Sequence, residues 1–271
     1  MKRSFSTVAC LGSSCDEVIE FALKNNMQGV EIRLDCDDKP FGIEDNGLKE
    51  LAGKFKANGL KITDLGTNIA FDGYDSTKIE KGKLCVNRAA ALNAKGIRIF
   101  LGTFSDKISE YMPCDYDGII TSLKELCAYG KTKDVEIWIE THNDFSTGEA
   151  LKRVIDDVGA ENLMVIWDVI HPVERGEAPE QTLKFLGDKI AHIHIKDGVK
   201  QEDENLSNFL YTRLGKGELP IREVITALNK TDYDGFLSLE WEAAWRKEIK
   251  NEYTDINSLL NDFNAYLDQL G

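Results

Sequence analysis

None of the six cysteines (Cys10, Cys15, Cys36, Cys85, Cys114 and Cys127) falls into a C-x-x-C pair. The chain therefore lacks the thiolate spacing of a structural zinc site, and at 271 residues it does not need a disulfide framework. These cysteines are read as reduced and structural. No apolar run approaches the ~18 residues of a membrane span, and no charged start leads into an apolar segment as in a secretory leader. The chain reads as cytoplasmic, without a membrane partner. There is no Pro-, Gly- or Ser-rich linker either, so residues 1–271 read as one domain. Basic residues are in deficit: 33 Lys and Arg against 47 Asp and Glu give a formal charge of -14. Such a charge repels nucleic-acid phosphates and excludes nucleic acid as a partner; an anionic small molecule would need a local basic pocket.

What is present is an alternation of short apolar runs with longer amphipathic stretches. "STVACLG" leads into "CDEVIEFALKNN", "QGVEIRLD" into "IEDNGLKELAGKFKANG", and the pattern continues through "VEIWIETH" and "STGEALKRVIDDVGA" to "GFLSLEWE" and "DINSLLNDFNAYLDQLG". The short runs suit strands buried on both faces, and the long ones carry apolar residues at helical spacing. Asp16, Ser146 and Asp255 are candidate helix caps, and Gly59, Gly96 and Gly159 candidate stops. Eight strand-helix pairs at roughly 30 residues each predict an α/β fold of the (β/α)8 TIM barrel type. A doubly wound open sheet would usually begin with G-x-G-x-x-G, and the first turn here is "CLGSSCDE".

In such a barrel the chemistry gathers at the C-terminal ends of the strands. Strand two ends with Glu31 and Arg33, strand five with Glu140 and His142, and strand six with Asp168 followed by His171. Strand seven supplies His194, Lys196 and Asp197, and strand eight Glu240 and Glu242. Converging on one axis, Glu140, Asp168, His194 and Glu240 make a site of three oxygens and one nitrogen. Carboxylates crowded this way repel one another unless a cation sits between them. Hard oxygen ligands with one imidazole suit a single divalent ion, Mn²⁺, Co²⁺, Mg²⁺ or Zn²⁺, with positions left for substrate. His192 shares the parity of His194 and is read as a deeper, hydrogen-bonded core histidine.

The segments "IWIETHNDFS", "VIWDVIHP", "AHIHIKDG", "GKGELPI" and "GFLSLEWEAAW" in this order resemble the sugar phosphate isomerase/epimerase family, the xylose isomerase-like barrels. That family includes inosose dehydratase, hydroxypyruvate isomerase and ketose 3-epimerases. The resemblance runs over essentially the whole chain and is most specific from Glu140 to Glu242. It implies that Glu140, Asp168, His194 and Glu240 hold the metal and that His171 faces the substrate. It further implies a sugar or sugar phosphate substrate, in which Glu140 and Glu240 move protons through an enediolate while Lys196 screens its charge. Isomerisation or epimerisation is the first reading, and dehydration of a keto-inositol or related keto-polyol is the alternative. A non-catalytic sugar-binding barrel is the alternative of another class. Homo-oligomers are frequent among such barrels, so one is open here as well.

Glu31, Arg33, His142, Glu242, Trp241 and Arg246 are assigned to the substrate side, with Trp241 or Trp245 as an apolar wall. For Lys196 a salt bridge to Asp197 or Glu242 is the competing role, and "GKGE" at 215–218 is read as a tight turn into the next helix. More distantly related endonuclease IV needs further histidines for three zinc ions. The four histidines of the chain, with none at the ends of strands three and four, argue against that activity. After "EWEAAW" the chain runs "RKE" where many relatives have a histidine and proline, which points to an altered substrate contact at Arg246, one suited to an anion. Loops 67–76, 102–116 and 198–214 carry no decisive pattern.

Overall fold

A computed structural model describes residues 1–35, 38–105, 107, 110–203, 209–253 and 255–271. Eight parallel strands close into a barrel in the order β1-β10-β7-β6-β5-β4-β3-β2. They are β1 Lys2–Ser6, β2 Gly29–Arg33, β3 Lys61–Phe71, β4 Gly96–Leu101, β5 Glu136–Glu140, β6 Leu163–Asp168, β7 Ile190–Ile195 and β10 Phe236–Leu239. Outside the barrel, β8 (Asp197–Val199) and β9 (Leu210–Thr212) pair antiparallel directly after β7. The expected (β/α)8 architecture is what the chain adopts. Cys36 and parts of loops 102–116 and 198–214 lie outside the described residues.

The helices are α1 Cys15–Lys24, α2 Leu48–Ala57, α3 Ser76–Leu92, α4 Tyr116–Lys131, α5 Gly148–Val158, α6 Ile170–Glu174, α7 Pro179–Leu186, α8 Ile221–Leu228 and α9 Ile256–Leu270. Of the three expected caps, Asp255 caps α9. For α1 the cap is Ser14, whose hydroxyl accepts from the Glu17 N–H while Glu17 accepts from the Ser14 N–H at 2.7 Å. Asp16 instead sits in the first turn, where its charge suits the helix dipole, and pairs with Lys54 at 3.0 Å. Thr147, not Ser146, caps α5, because Ser146 is buried against Arg175. Gly59 and Gly159 end helices in the left-handed region, whereas Gly96 opens β4 and α3 stops on Asn93.

Strand parity divides the barrel chemically. Outward residues such as Phe5, Val30, Ile99, Ile139, Val165, Ile193 and Leu239 join the helices in one apolar core, which supplies the burial that stabilises the fold. Inward residues include Ser4, Ser6, Glu31, Asp64, Arg98, Glu140, Asp168, His192, His194 and Ser238, all of them buried. Barrel interiors are usually filled by branched aliphatic side chains; this one is filled by ionisable ones. Gly66 on β3 makes room for them, since a Cβ there would stand 2.7 Å from Glu31 Oε1.

Candidate active site

The alternating pattern that aims His194 inward also aims its neighbours in register, Asp168 on β6 and Ser238 on β10. Ligand atoms from Glu140, Asp168, His194 and Glu240 all lie within 4.8 Å of one another, and all four residues are buried. His194 shows how the cluster is oriented. Its Nε2 is 2.6 Å from Glu31 Oε2, and opposite a carboxylate that nitrogen donates. Its Nδ1 has no hydrogen-bond partner and faces Glu240 Oε2 at 3.3 Å and Glu140 Oε1 at 3.6 Å, carboxylates that raise the imidazole well above its usual range until a cation takes the place of that proton. A buried unpartnered ring nitrogen beside two carboxylates is the donor set of a cation site, with Glu31 fixing the imidazole from behind.

Two permanent cations stand among these anions. Arg98 on β4 places Nη1 2.9 Å from Glu140 Oε2 and 3.0 Å from Glu240 Oε1, with Glu31 at 3.7 Å. Lys196 Nζ lies 2.7 Å from Asp168 Oδ2 and in contact with Glu240 Oε2. Burial pushes the Glu240 carboxyl up, but His194, Lys196 and Arg98 outweigh it and hold it well below the usual range. Burial likewise opposes ionisation of Glu31, yet His194 and Arg98 bring it down to about 2. Asp168 is raised to about 6, because burial outweighs the nearby Lys196. The Asp64 carboxyl is held well above the carboxylate range by burial and by Glu31, which keeps it neutral. With His194 neutral, as a metal ligand must be, Glu31, Glu140, Asp168 and Glu240 against Arg98 and Lys196 leave two negative charges, the number a divalent cation balances. The residues present thus fit a single divalent metal in both donor chemistry and charge.

Beside the cluster opens a cavity of about 330 Å³, lined among others by Arg33, Asn68, Arg98, Phe100, Phe104, Glu140, His142, Glu240, Glu242, Trp245 and Arg246. A larger cavity of about 550 Å³ opens between the N-terminal ends of the strands, around Lys61, Lys95 and Phe236, and none of the cluster's ligands lines it. The smaller one opens beside the cluster at the C-terminal end of the barrel, the end at which this fold places its active sites. His142 and His171 bring their rings to 4.2 Å beside it. His142 Nδ1 meets Asn143 at 2.6 Å, and His171 Nδ1 meets Glu174 at 3.0 Å while its Nε2 stands 3.5 Å from Asp168. Burial holds both imidazoles below their usual range, that of His171 well below, helped by the charges of His142, Lys196 and Arg246.

Residues 19–257 match the family model described as xylose isomerase-like TIM barrel. The chain belongs to that family. Among its relatives is an uncharacterized protein of Methanocaldococcus jannaschii, 26% identical, matching over 94% of this chain and 90% of that protein. A 3-dehydroshikimate dehydratase of Bacillus anthracis is 22% identical over 92% of this chain and 94% of its own. An inosose dehydratase of Clostridium botulinum is 32% identical over a shorter stretch, 43% of this chain and 46% of that protein. Among solved structures, an IolI protein with a zinc atom superposes with a TM-score of 0.80 at 20% identity, covering 100% of this chain and 98% of that one. An L-ribulose 3-epimerase does so with a TM-score of 0.79 at 16% identity, covering 99% and 94%. These are enzyme folds, and at such identities the structures establish the barrel.

Within this xylose isomerase-like barrel several sequence expectations need correction. Glu31 is fully buried and absent from the cavity lining; it holds His194 and accepts from the Ser6 hydroxyl at 2.8 Å, so it lies behind the ligands and not on the substrate side. Trp241 follows an inward residue and so points outward, packing edge-on against Tyr253, while Trp245 lines the cavity. His192 is buried as expected but not hydrogen-bonded: neither ring nitrogen has a partner, the ring stacks on Trp138 at 5.7 Å, and burial drives it down to about 3, so it is neutral. Lys196 pairs with Asp168 and Glu240 and is 3.7 Å from Glu242. Asp197 instead accepts backbone N–H groups from Gly198, Gly215, Gly217 and Leu219, folding "GKGE" around itself. Arg98, Glu174 and Tyr211 were missed. Arg98 has a readable signal, a charge inside the buried run "IRIFL", but it sits within its strand and not at the strand end.

Proposed function

We propose that this barrel removes a proton from the carbon beside a carbonyl in a sugar-like or cyclic keto-polyol and completes the reaction by expelling water. When bound, a divalent ion held by Glu140, Asp168, His194 and Glu240 polarises the carbonyl. Glu140 takes the proton; the C–H electrons form the new double bond, the β C–O bond breaks, and the departing hydroxide takes a proton from Lys196, while neutral His171 hydrogen-bonds a substrate oxygen. The observation that carries this reading is the inequality of the two glutamates. Glu140 is approached by Arg98, whereas Glu240 is gripped by both Arg98 and Lys196 and kept ionised. Epimerisation needs two carboxyls that exchange roles as base and acid across the substrate, and a carboxylate pinned between two cations is a poor acid. The dehydratase names among the full-length and partial relatives support the same outcome.

Isomerisation or epimerisation is kept as the second reading on one specific observation, the near-equal placing of Arg98 Nη1 between Glu140 and Glu240 at 2.9 and 3.0 Å. Incubating the Mn²⁺-loaded protein with keto-inositols, dehydroshikimate-like cyclic ketones and ketohexoses in D₂O separates the two. Dehydration gives a conjugated carbonyl that absorbs in the near ultraviolet. Solvent deuterium in an otherwise intact, epimerised substrate would instead select the second reading, and no exchange with any carbonyl substrate would remove both.

A further inference from the structure

His171 stands between two acidic side chains. Its Nδ1 is 3.0 Å from Glu174 Oε2, one turn on in α6, and its Nε2 is 3.5 Å from Asp168 Oδ2. The His171 side chain is 5% exposed and that of Glu174 7%, so solvent has little part in satisfying either. A neutral imidazole has one N–H and one lone pair, so its two nitrogens meet the two acids in opposite roles. Lys196 Nζ lies 2.7 Å from the same Asp168 Oδ2, which holds that oxygen as an ionised acceptor, and a ring lone pair turned toward it would be repelled. The ring proton therefore belongs on Nε2, and Nδ1 accepts. An accepting nitrogen 3.0 Å from a carboxyl oxygen requires the carboxyl to supply the hydrogen.

The far side of Glu174 agrees with this. Among the described residues its Oε1 is buried without a hydrogen-bond partner. That is costly for a carboxylate oxygen and far less so for the carbonyl oxygen of a neutral acid. Burial and the charge of Asp168 also outweigh Arg175, Arg246 and Lys196 and hold the Glu174 carboxyl well above its usual range. We infer that Glu174 is a positioning residue, whose carboxyl O–H donates to His171 Nδ1 and so fixes the ring proton on Nε2, facing Asp168 and the reacting end of a substrate. This is the reverse of a carboxylate that accepts from Nδ1–H and turns Nε2 into a base. His171 is then a donor at the cluster, and the substrate oxygen it meets is an acceptor, such as a carbonyl or a departing oxygen. The inference deepens the proposed function and rests on it for the substrate step alone; the tautomer belongs to the resting protein.

Nitrogen-15 spectra of histidine-labelled, chelator-treated protein, with and without Zn²⁺, read the tautomer directly. They are taken at pH 8, above the value of about 6 to which Asp168 is raised, with His171 assigned by the signal lost in His171→Gln. The expected result is a neutral ring protonated on Nε2 and accepting at Nδ1, and an infrared difference between wild type and Glu174→Gln that contains the C=O stretch of a protonated carboxyl. A proton on Nδ1, an imidazolium, or a carboxylate band in that difference overturns the assignment, and these wild-type spectra decide even if a variant fails to fold. Glu174→Gln, whose amide N–H still donates, should keep the Nε2–H form, whereas Glu174→Leu should give a mixture of tautomers; an unchanged tautomer in Glu174→Leu would remove the positioning role. With a turned-over substrate, Glu174→Leu should lower kcat about 10- to 100-fold with KM nearly unchanged, and Glu174→Gln should recover most of the loss. Equal kcat in wild type and Glu174→Leu would overturn the role in the reaction. Failure to turn over any carbonyl substrate would instead sink the proposed function and leave the tautomer standing, while the wrong tautomer sinks the positioning role and leaves the metal chemistry intact.

Discussion

Arg98 lies 2.9 Å from one glutamate of the cluster and 3.0 Å from another, and no reading of a single strand would have paired them. The four ligand positions were legible because each ends an apolar run and their order along the chain is distinctive. Arg98, Glu174 and Tyr211 were not, because their partners lie across the barrel or on another loop, a relation set by closure of the sheet. Replacing Arg98 by Met leaves Glu140 and Glu240 facing each other in a dry interior. The metal-free variant should be destabilised by about 3–5 kcal/mol, and saturating Mn²⁺ should restore much of that loss in thermal melts. A deficit that Mn²⁺ does not reduce would argue against a shared charge role. Glu31→Gln keeps the shape but weakens the acceptor behind His194, so Mn²⁺ affinity should fall about 10- to 100-fold with the fold retained. Among the cysteines, burial pushes Cys127 up to about 12. Iodoacetamide at pH 8 should leave it unmodified in the native protein, as peptide mass mapping would show, and rapid alkylation would contradict its placing.

The element least legible in the sequence is the β8–β9 pair, because residues 198–214 have mixed polarity and no turn signature. It is organised by a contact outside itself. The Asp197 carboxylate gathers four backbone N–H groups, at 2.8 Å from Gly215, 2.9 Å from Gly198, 3.0 Å from Gly217 and 3.3 Å from Leu219. A Cβ at Gly217 would meet Asp197 Oδ1 at 2.1 Å, which is why that turn takes glycine. Asp197→Ala removes the acceptors and strands the donors, with a loss of about 2–3 kcal/mol in urea unfolding. Because β9 carries the Tyr211 ring on which Arg246 stacks at the cavity mouth, at 4.4 Å, the same variant should raise KM more than it lowers kcat. A loss confined to kcat would place Asp197 in the chemistry. The cap positions failed by one or two residues for a related reason: Ser14 and Thr147 win because they have the extended backbone a cap requires, and sequence alone ranks Asp16 and Ser146 equally well.

At the scale of the whole molecule the barrel was legible from eight repeats of strand and helix, since outward strand faces and inward helix faces share one apolar core. The polar interior was legible only at its rim. Below it the structure places His192, Asp64 and Ser238 in a layer whose side chains hold unpartnered atoms. On the proposed reading, a barrel filled with charge depends on a bound cation for stability as well as for chemistry. Chelation should lower the melting temperature, and Mn²⁺ at about 100 times its dissociation constant should add about 2.7 kcal/mol. Binding must also displace protons. Without a cation His194 is held well above its usual range, because its carboxylate neighbours outweigh burial, and Asp168 lies at about 6. Both compete with the metal, so Mn²⁺ affinity should strengthen as pH rises from 6 to 8, and an affinity independent of pH would exclude them as ligands. The most direct measurement is calorimetric titration of Mn²⁺ into chelator-stripped protein, wild type beside Asp168→Ala, in two buffers of different ionisation enthalpy. The account requires one stoichiometric site with proton release in wild type and its loss in the variant. Absence of binding by Mn²⁺, Co²⁺ and Zn²⁺ alike, or equal binding by the variant, would contradict the metal centre on which the proposed chemistry rests.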